Sequence, residues 1–324
     1  MRPDLTTVLP VIQKAKRVLL FTHQHPDGDA IGSVLALNSL IKRLGKETMM
    51  LCQDKVPDNL HFLPGWEQVT NTSVLSAMPE KVYDLGIAVD VSDYARLGDC
   101  GPFFKACPMT IKIDHHATDE QYAQVSYVDV SVAATGVLIF RLFEAFGLPI
   151  TQDEALYLYT ALSTDTGNFS YGNMTEEFFC QIAMLMKADL PIVDAARQLH
   201  LVKHPASISI LARALHSLTY LAEGKLSMMF LRADDFMLAE ANLEHAEGIV
   251  NYGLNILGVE VTFLATQNGD GVKFSLRCLP PHDVSKVAQA FGGGGHVLAA
   301  GCTIHKPFDE AVAQMREYLE QVIQ

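Results

Sequence analysis

Residues 17–29 read Arg17-Val18-Leu19-Leu20-Phe21-Thr22-His23-Gln24-His25-Pro26-Asp27-Gly28-Asp29. The apolar run bounded by a Pro- and Gly-containing turn predicts a buried strand over 17–23. A helix is expected over 29–44, ended by Gly45. A buried strand feeding a helix opens a βαβ unit. In open α/β sheets ligands bind beyond the carboxyl ends of the strands. At that end the chain places one imidazole, His23, and two carboxylates, Asp27 and Asp29. A plain polar loop with Asp29 capping the next helix would explain Asp29 and Gly28, but not His23 and Asp27 beside them.

The pattern continues outward. Further strands are expected over 47–52, 83–89, 109–113 and 125–130, and helices over 134–146, 153–163 and 175–187. Near-continuous apolar strands alternating with helices argue an α/β fold whose parallel sheet is covered on both faces. Beyond Leu190-Pro191, residues 192–221 read as mostly helical, interrupted near His204-Pro205. The second half predicts a strand over 225–232, helices over 234–242 and 245–256, and strands over 259–266 and 271–278. Asn268-Gly269-Asp270-Gly271 is the hairpin signal between the last two. A helix over 282–291, a glycine-rich loop, a short strand and a final helix follow. The expected organisation is a domain over 1–190, a helical linker over 191–220 and a second domain over 221–324.

Composition bounds the function. The chain has 324 residues, enough for about two domains. Lys and Arg number 24 against 37 Asp and Glu, a net charge of −13. That argues against a long basic track for duplex nucleic acid, yet leaves room for a local anion site. Apolar residues make up 49%, which excludes disorder. No uncharged apolar run reaches the roughly 18 residues of a membrane span, so no membrane partner is expected. Residues 1–17 lack the pattern of a secretory leader. Six cysteines are scattered without a Cys-x-x-Cys, which suits free thiols in a reducing cytoplasm.

Three later segments resemble the first in chemistry. Asp90 ends one apolar strand, Asp114-His115-His116 ends another, and Asp165 stands where a helix breaks. Each alone is an ordinary turn residue; four at one sheet edge are hard to dismiss. Asp27, Asp29, Asp90 and Asp165 together bring about four negative charges, which would raise one another's pKa unless cations neutralise them. Two divalent ions balance the set, and a mixed carboxylate and imidazole shell suits Mn²⁺ while tolerating Zn²⁺, Fe²⁺ or Mg²⁺. A bridging carboxylate can hold two ions roughly 3.5–4 Å apart, clamping a phosphoryl group for in-line attack. The implied chemistry is hydrolysis of a phosphoester or phosphoanhydride.

The ordered set His23-x3-Asp27-x-Asp29, Asp90, Asp114-His115-His116 and Asp165 resembles the DHH phosphoesterase superfamily. Phe291-Gly292-Gly293-Gly294-Gly295-His296, followed by Ala299-Ala300-Gly301, resembles its DHH-associated domain. Size and glycine run are similar to the short oligoribonucleases (nanoRNases), a group that includes phosphatases for 3′-phosphoadenosine 5′-phosphate (pAp). The resemblance implies a doubly wound N-terminal domain with a five-stranded parallel sheet. It also implies a smaller C-terminal α/β domain with a mixed sheet. His23, Asp27 and Asp90 would hold one metal, and Asp29, Asp90, His115 and Asp165 the other, with Asp90 bridging. His116 would contact the reacting phosphate or assist the leaving group, and Asp114 would orient that loop. His25 stands where many relatives carry Asn. A homodimer follows from the resemblance alone.

The substrate phosphate needs further partners. Gly293, Gly294 and Gly295 are candidates to offer unobstructed N–H groups, with a helix start as one reading of the turn that follows. His296, Arg277 in the 271–278 strand and Arg96 are candidate cationic contacts. The leading expectation is a Mn²⁺-dependent phosphodiesterase that cuts very short single-stranded oligonucleotides to mononucleotides. The alternatives are pAp phosphatase or dinucleotide phosphodiesterase as main activity, or a non-catalytic, metal-stabilised nucleotide-binding module.

Overall fold

The computed structural model describes residues 5–72, 82–118 and 120–323. The chain divides into two compact units, Met1–Val202 and Lys203–Gln324.

In the first unit the strands are β1 (Arg17–Phe21), β2 (Glu47–Cys52), β3 (Val69–Asn71), β4 (Leu85–Val89), β5 (Met109–Asp114) and β6 (Val125–Val128). They form one parallel sheet in the order β3-β2-β1-β4-β5-β6. The sheet therefore has six strands rather than five. The additional one, β3, is a three-residue, half-buried edge strand, too short for an apolar run to announce it. Both faces are covered, as the continuous apolar strands demand. Val18 and Leu20 enter one core cluster while Leu19 and Phe21 enter another. Burying those four side chains is worth roughly 6–12 kcal/mol before entropy is subtracted.

Strand order reverses between β1 and β4, which opens a crevice at the carboxyl ends of these strands. The helix after β1 spans Gly28–Arg43 and is buried along most of its length. Its close neighbour is helix Gln152–Asp165, which starts with a Thr151–Glu154 capping box and ends on Asp165. Gly32 makes this approach possible: a Cβ there would stand 2.4 Å from the Tyr157 carbonyl oxygen. Asp27, not Asp29, is the N-cap, accepting from the Ala30 N–H at 3.0 Å.

In the second unit β7 (Thr219–Leu221), β8 (Leu226–Leu231), β9 (Val261–Asn268), β10 (Gly271–Cys278), β11 (Gly294–His296) and β12 (Ala299–Ile304) form a mixed sheet in the order β11-β12-β10-β9-β8-β7. Only the β8–β9 pairing is parallel. Helices Val284–Ala290 and Phe308–Val322 cover one face, and Pro205–His216 with Val250–Leu254 the other. The Gly269-Asp270 turn joins β9 to β10 with Asn268 opposite Gly271, as its sequence signals.

Three expectations change here. Residues 219–221 end the supposed helical stretch as a strand, because they pair with β8. The helices expected over 234–242 and 245–256 shrink to Ala233–Leu238 and Val250–Leu254, the latter preceded by Gly248 at φ +76°. The glycine run does not start a helix. The N–H groups of Gly292 and Gly293 donate to Gln289 and Ala288, ending helix Val284–Ala290, and Gly294–His296 then forms an edge strand.

Among the described residues no helix is long and apolar enough to cross a membrane. All six cysteines are free, and five are buried.

Candidate metal centre

The carboxyl ends of β1, β4 and β5 converge at the switch point. β1 delivers His23, β4 delivers Asp90, and β5 delivers Asp114, His115 and His116. The Gly28–Arg43 helix adds Asp27 and Asp29 from its first turn, and the Gln152–Asp165 helix adds Asp165 from its last.

Three donor sets result, each with its ligand atoms within 4.8 Å of one another. His23, Asp27 and Asp90 form one; Asp29, His115 and Asp165 form the second; Asp90, His115 and His116 form the third. His23 Nε2 lies 3.9 Å from Asp27 and 3.5 Å from Asp90. His115 Nε2 lies 3.3 Å from Asp165, 3.8 Å from Asp90 and 3.9 Å from Asp29. Asp90, only 2% exposed, thus stands between the first two sets. Its φ of +60° is unusual for a non-glycine residue and marks a position held by its surroundings. Thr135 Oγ1 supplies one restraint, donating to Asp90 Oδ1 at 2.9 Å.

Asp29 is fixed more tightly still. It accepts from Ser33 Oγ at 2.9 Å and from the N–H groups of Thr135 and Gly136 at 2.7 and 3.0 Å, at the start of helix Thr135–Ala145. Even so, burial and the neighbouring Asp90, Asp165 and Asp27 carboxylates hold it well above the usual carboxylate range. Burial, with help from Asp90 and Asp27 and against His115, pushes Asp165 up to about 6. His23 is raised to about 10, because its bonds to Asp27 and Asp90 outweigh the burial that would lower it. Mutually destabilised carboxylates with an imidazole drawn toward protonation describe a cluster short of positive charge. Oxygen and nitrogen donors in this proportion fit hard-to-borderline divalent cations such as Mn²⁺. The residues present therefore fit a metal site.

Asp114 takes no part in those sets. It is fully buried, and its Oδ1 accepts from the His115 N–H (2.8 Å), the His116 N–H (3.2 Å) and His116 Nδ1 (2.8 Å). Its Oδ2 has an ion pair, not a well-aligned hydrogen bond, with Lys112 Nζ at 3.2 Å. Burial raises the Asp114 pKa, but His116 and Lys112 more than reverse this, so it is lowered. For His116 burial again opposes, and the Asp114 bond with nearby Asp90 prevails, so its pKa is raised.

Arg96 also belongs to this neighbourhood. Its Nη2 lies 2.9 Å from His23 Nδ1, which lies 2.7 Å from the Gln24 carbonyl. The two contacts demand opposite tautomers. A His23 that offers Nε2 to a metal keeps Nδ1–H for Gln24 and releases Arg96. His25 points away: its ring is 85% exposed and pairs with Asp54 at 3.4 Å.

In the second unit Arg277 lies on β10 opposite Ala299, and His296 on β11 opposite the same Ala299. One register row therefore brings both near one another. Arg277 is half-buried and donates to its own neighbour's carbonyl, Leu276, at 2.9 Å.

Sequence reasoning missed Lys112 and Thr135. A lysine alternating with isoleucines on a central strand, Ile111-Lys112-Ile113, was the available signal for Lys112; nothing marked Thr135.

The DHH family N-terminal domain model matches residues 17–162, and the DHHA1 domain model matches residues 236–324. The chain is similar to the bifunctional oligoribonuclease and PAP phosphatase NrnA of Thermus thermophilus, 29% identical across 89% of this chain and 84% of that protein. It is also similar to the Bacillus subtilis protein of the same name, 24% identical across 94% and 95%. In structure it resembles an exopolyphosphatase-related protein from Bacteroides fragilis, with TM-score 0.92 and 23% identity over 98% of this chain and 96% of that one. The family matches show that the chain carries a DHH family N-terminal domain in its first unit and a DHHA1 domain in its second.

Proposed function

We propose that this chain is a divalent-metal phosphoesterase that hydrolyses very short oligonucleotides to mononucleotides and also dephosphorylates pAp. The observation that carries the reading is Asp90, a buried carboxylate placed between two donor sets at the switch point of the sheet. The names of the relatives from Thermus thermophilus and Bacillus subtilis support the substrate class.

Two ions fit the charge. The first would rest on His23, Asp27 and Asp90, the second on Asp29, Asp90, His115 and Asp165, and Mn²⁺ suits both shells. When bound there, such ions polarise phosphoryl oxygens and lower the pKa of water for in-line attack.

The protein's own groups do the rest. Asp114 holds His116 by Nδ1 and favours its protonated form, which leaves Nε2 to donate a proton to the leaving oxygen. Arg96, released from His23, is a cation for a phosphoryl oxygen. Arg277 and His296, brought together on β10 and β11, grip a terminal phosphate. With the Gly292 and Gly293 N–H groups already used, the run Gly293–Gly295 serves as a bare surface against which substrate lies. The net charge of −13 disfavours long nucleic acid, and five buried free thiols suit the cytoplasm.

The test is a substrate panel with purified, Mn²⁺-loaded protein: 5′-phosphorylated RNA of two to five nucleotides, long RNA, pAp, cyclic dinucleotides and pyrophosphate. Turnover of the short RNAs and pAp is expected. Turnover confined to pyrophosphate or to cyclic dinucleotides would defeat the proposal.

A further inference from the structure

The β10–β12 surface extends well past Arg277. Side chains on a strand alternate between faces, and on β10 Lys273, Ser275 and Arg277 share the face opposite the buried Val272, Phe274 and Leu276. Across the ladder Thr303 pairs with Lys273, Gly301 with Ser275 and Ala299 with Arg277. His305 continues the row, its ring 70% exposed.

At the Lys273 end lies a cavity of about 630 Å³, walled by Phe291, Gly292–Gly294, Thr303 and His305. Gly293 has no room for a side chain, since a Cβ would stand 2.2 Å from the Gly301 carbonyl oxygen. Phe291 borders the cavity, and its half-buried ring packs edge-on against Tyr318. Lys273 lines this cavity, and among the described residues it has no ion-pair partner. Elsewhere in the second unit Lys225, Arg232, Lys286 and Arg316 each hold a carboxylate, and Lys306 holds the Gln314 amide oxygen. In so acidic a protein, an exposed lysine without a carboxylate in a polar-and-aromatic cavity suits an anionic ligand with an aromatic part.

We propose that this cavity takes a further nucleotide of the oligonucleotide, with Lys273 on its phosphate and Phe291 against its base. The proposal rests on the phosphoesterase reading and deepens it. Lys273 and Arg277 are four residues apart on one strand, so their Cα atoms lie about 13 Å apart. Adjacent phosphates of an oligonucleotide flank one ribose, as the two of pAp do, so only phosphates two nucleotides apart span both cations; pAp does not. Lys273 therefore separates oligonucleotide from pAp recognition.

The test measures KM for 5′-phosphorylated tri- to pentaribonucleotides and for pAp, in wild type and in Lys273→Ala, Lys273→Arg and Phe291→Leu. Lys273→Ala should raise the KM for oligonucleotides relative to that for pAp roughly five- to tenfold, with kcat unchanged. It should also flatten the plot of log KM against log salt by about 0.7, the signature of one lost single-strand phosphate contact. Lys273→Arg should restore both, and Phe291→Leu should raise oligonucleotide KM without altering the salt slope. An unchanged ratio and slope in Lys273→Ala, with wild type active on oligonucleotides, overturns this inference alone. A wild type inert toward every oligonucleotide overturns the activity reading as well.

Discussion

Replacing Asp165 by Asn should stabilise the metal-free protein and weaken its response to metal. Folding takes the Asp165 carboxyl from about 3.8 to about 6. A raised carboxyl pKa means that the folded state resists ionisation. Its penalty is absent below the unfolded value, grows as pH rises through the interval between the two, and is complete above about 6. At about 1.4 kcal/mol per tenfold, the penalty at pH 7 is ~3 kcal/mol, an upper figure because the side chain is partly solvated. Asparagine keeps the shape and never ionises. In a unit of this size ~3 kcal/mol corresponds to roughly 6–12 °C in Tm. The assay is thermal unfolding of wild type and Asp165→Asn in chelator, at pH 7 and pH 4, and again in Mn²⁺. The variant should melt higher than wild type at pH 7 in chelator, and the gap should close at pH 4. In Mn²⁺ wild type should gain about 2.7 kcal/mol at a hundredfold excess over Kd, and the variant less. A variant that melts below wild type in chelator at pH 7 would refute the claim that these carboxylates strain one another.

Other substitutions test other parts. Asp114→Asn removes a charge-assisted bond worth about 1.5–3 kcal/mol, so kcat should fall roughly 10- to 150-fold with KM nearly constant. Because Asp114 raises the His116 pKa, the alkaline limb of the kcat profile should shift to lower pH; an unmoved limb removes His116 as the proton donor. Arg277→Ala should raise KM for every 5′-phosphorylated substrate while sparing kcat, as steady-state kinetics would reveal. Gly32→Ala would drive a methyl against the Tyr157 carbonyl and should cost about 1–3 kcal/mol in denaturant unfolding.

Much of the fold was legible because β1, β4 and β5 are apolar on both faces, and each ends in the acid or histidine that marks the crevice. His23, Asp90 and His115 fall at one edge for that reason, since parallel strands must end on the same side; Asp27, Asp29 and Asp165 stand at helix ends, and the full ligand set is what the family resemblance implies. What escaped was set by partners distant in sequence. β3 has too few residues to carry a pattern and exists because Met50 to Cys52 offer it an edge. The glycine run looked like a free donor loop, yet two of its N–H groups are claimed by the preceding helix, a local competition that composition does not express. Lys112, between two isoleucines of β5, drew no role from the sequence reading. It is buried because the Ser92 carbonyl, 2.6 Å away, and Asp114 receive its charge.

The central claim is that Asp90 joins two metal sites into one catalytic centre. Metal content after equilibrium dialysis against Mn²⁺, measured on the same preparations of wild type and Asp90→Ala used for turnover, tests it most directly. The account predicts two Mn²⁺ per wild-type chain. It predicts at most one in Asp90→Ala, whose turnover of short RNA is abolished. Two tightly held ions in Asp90→Ala, or wild-type turnover in that variant, would contradict it.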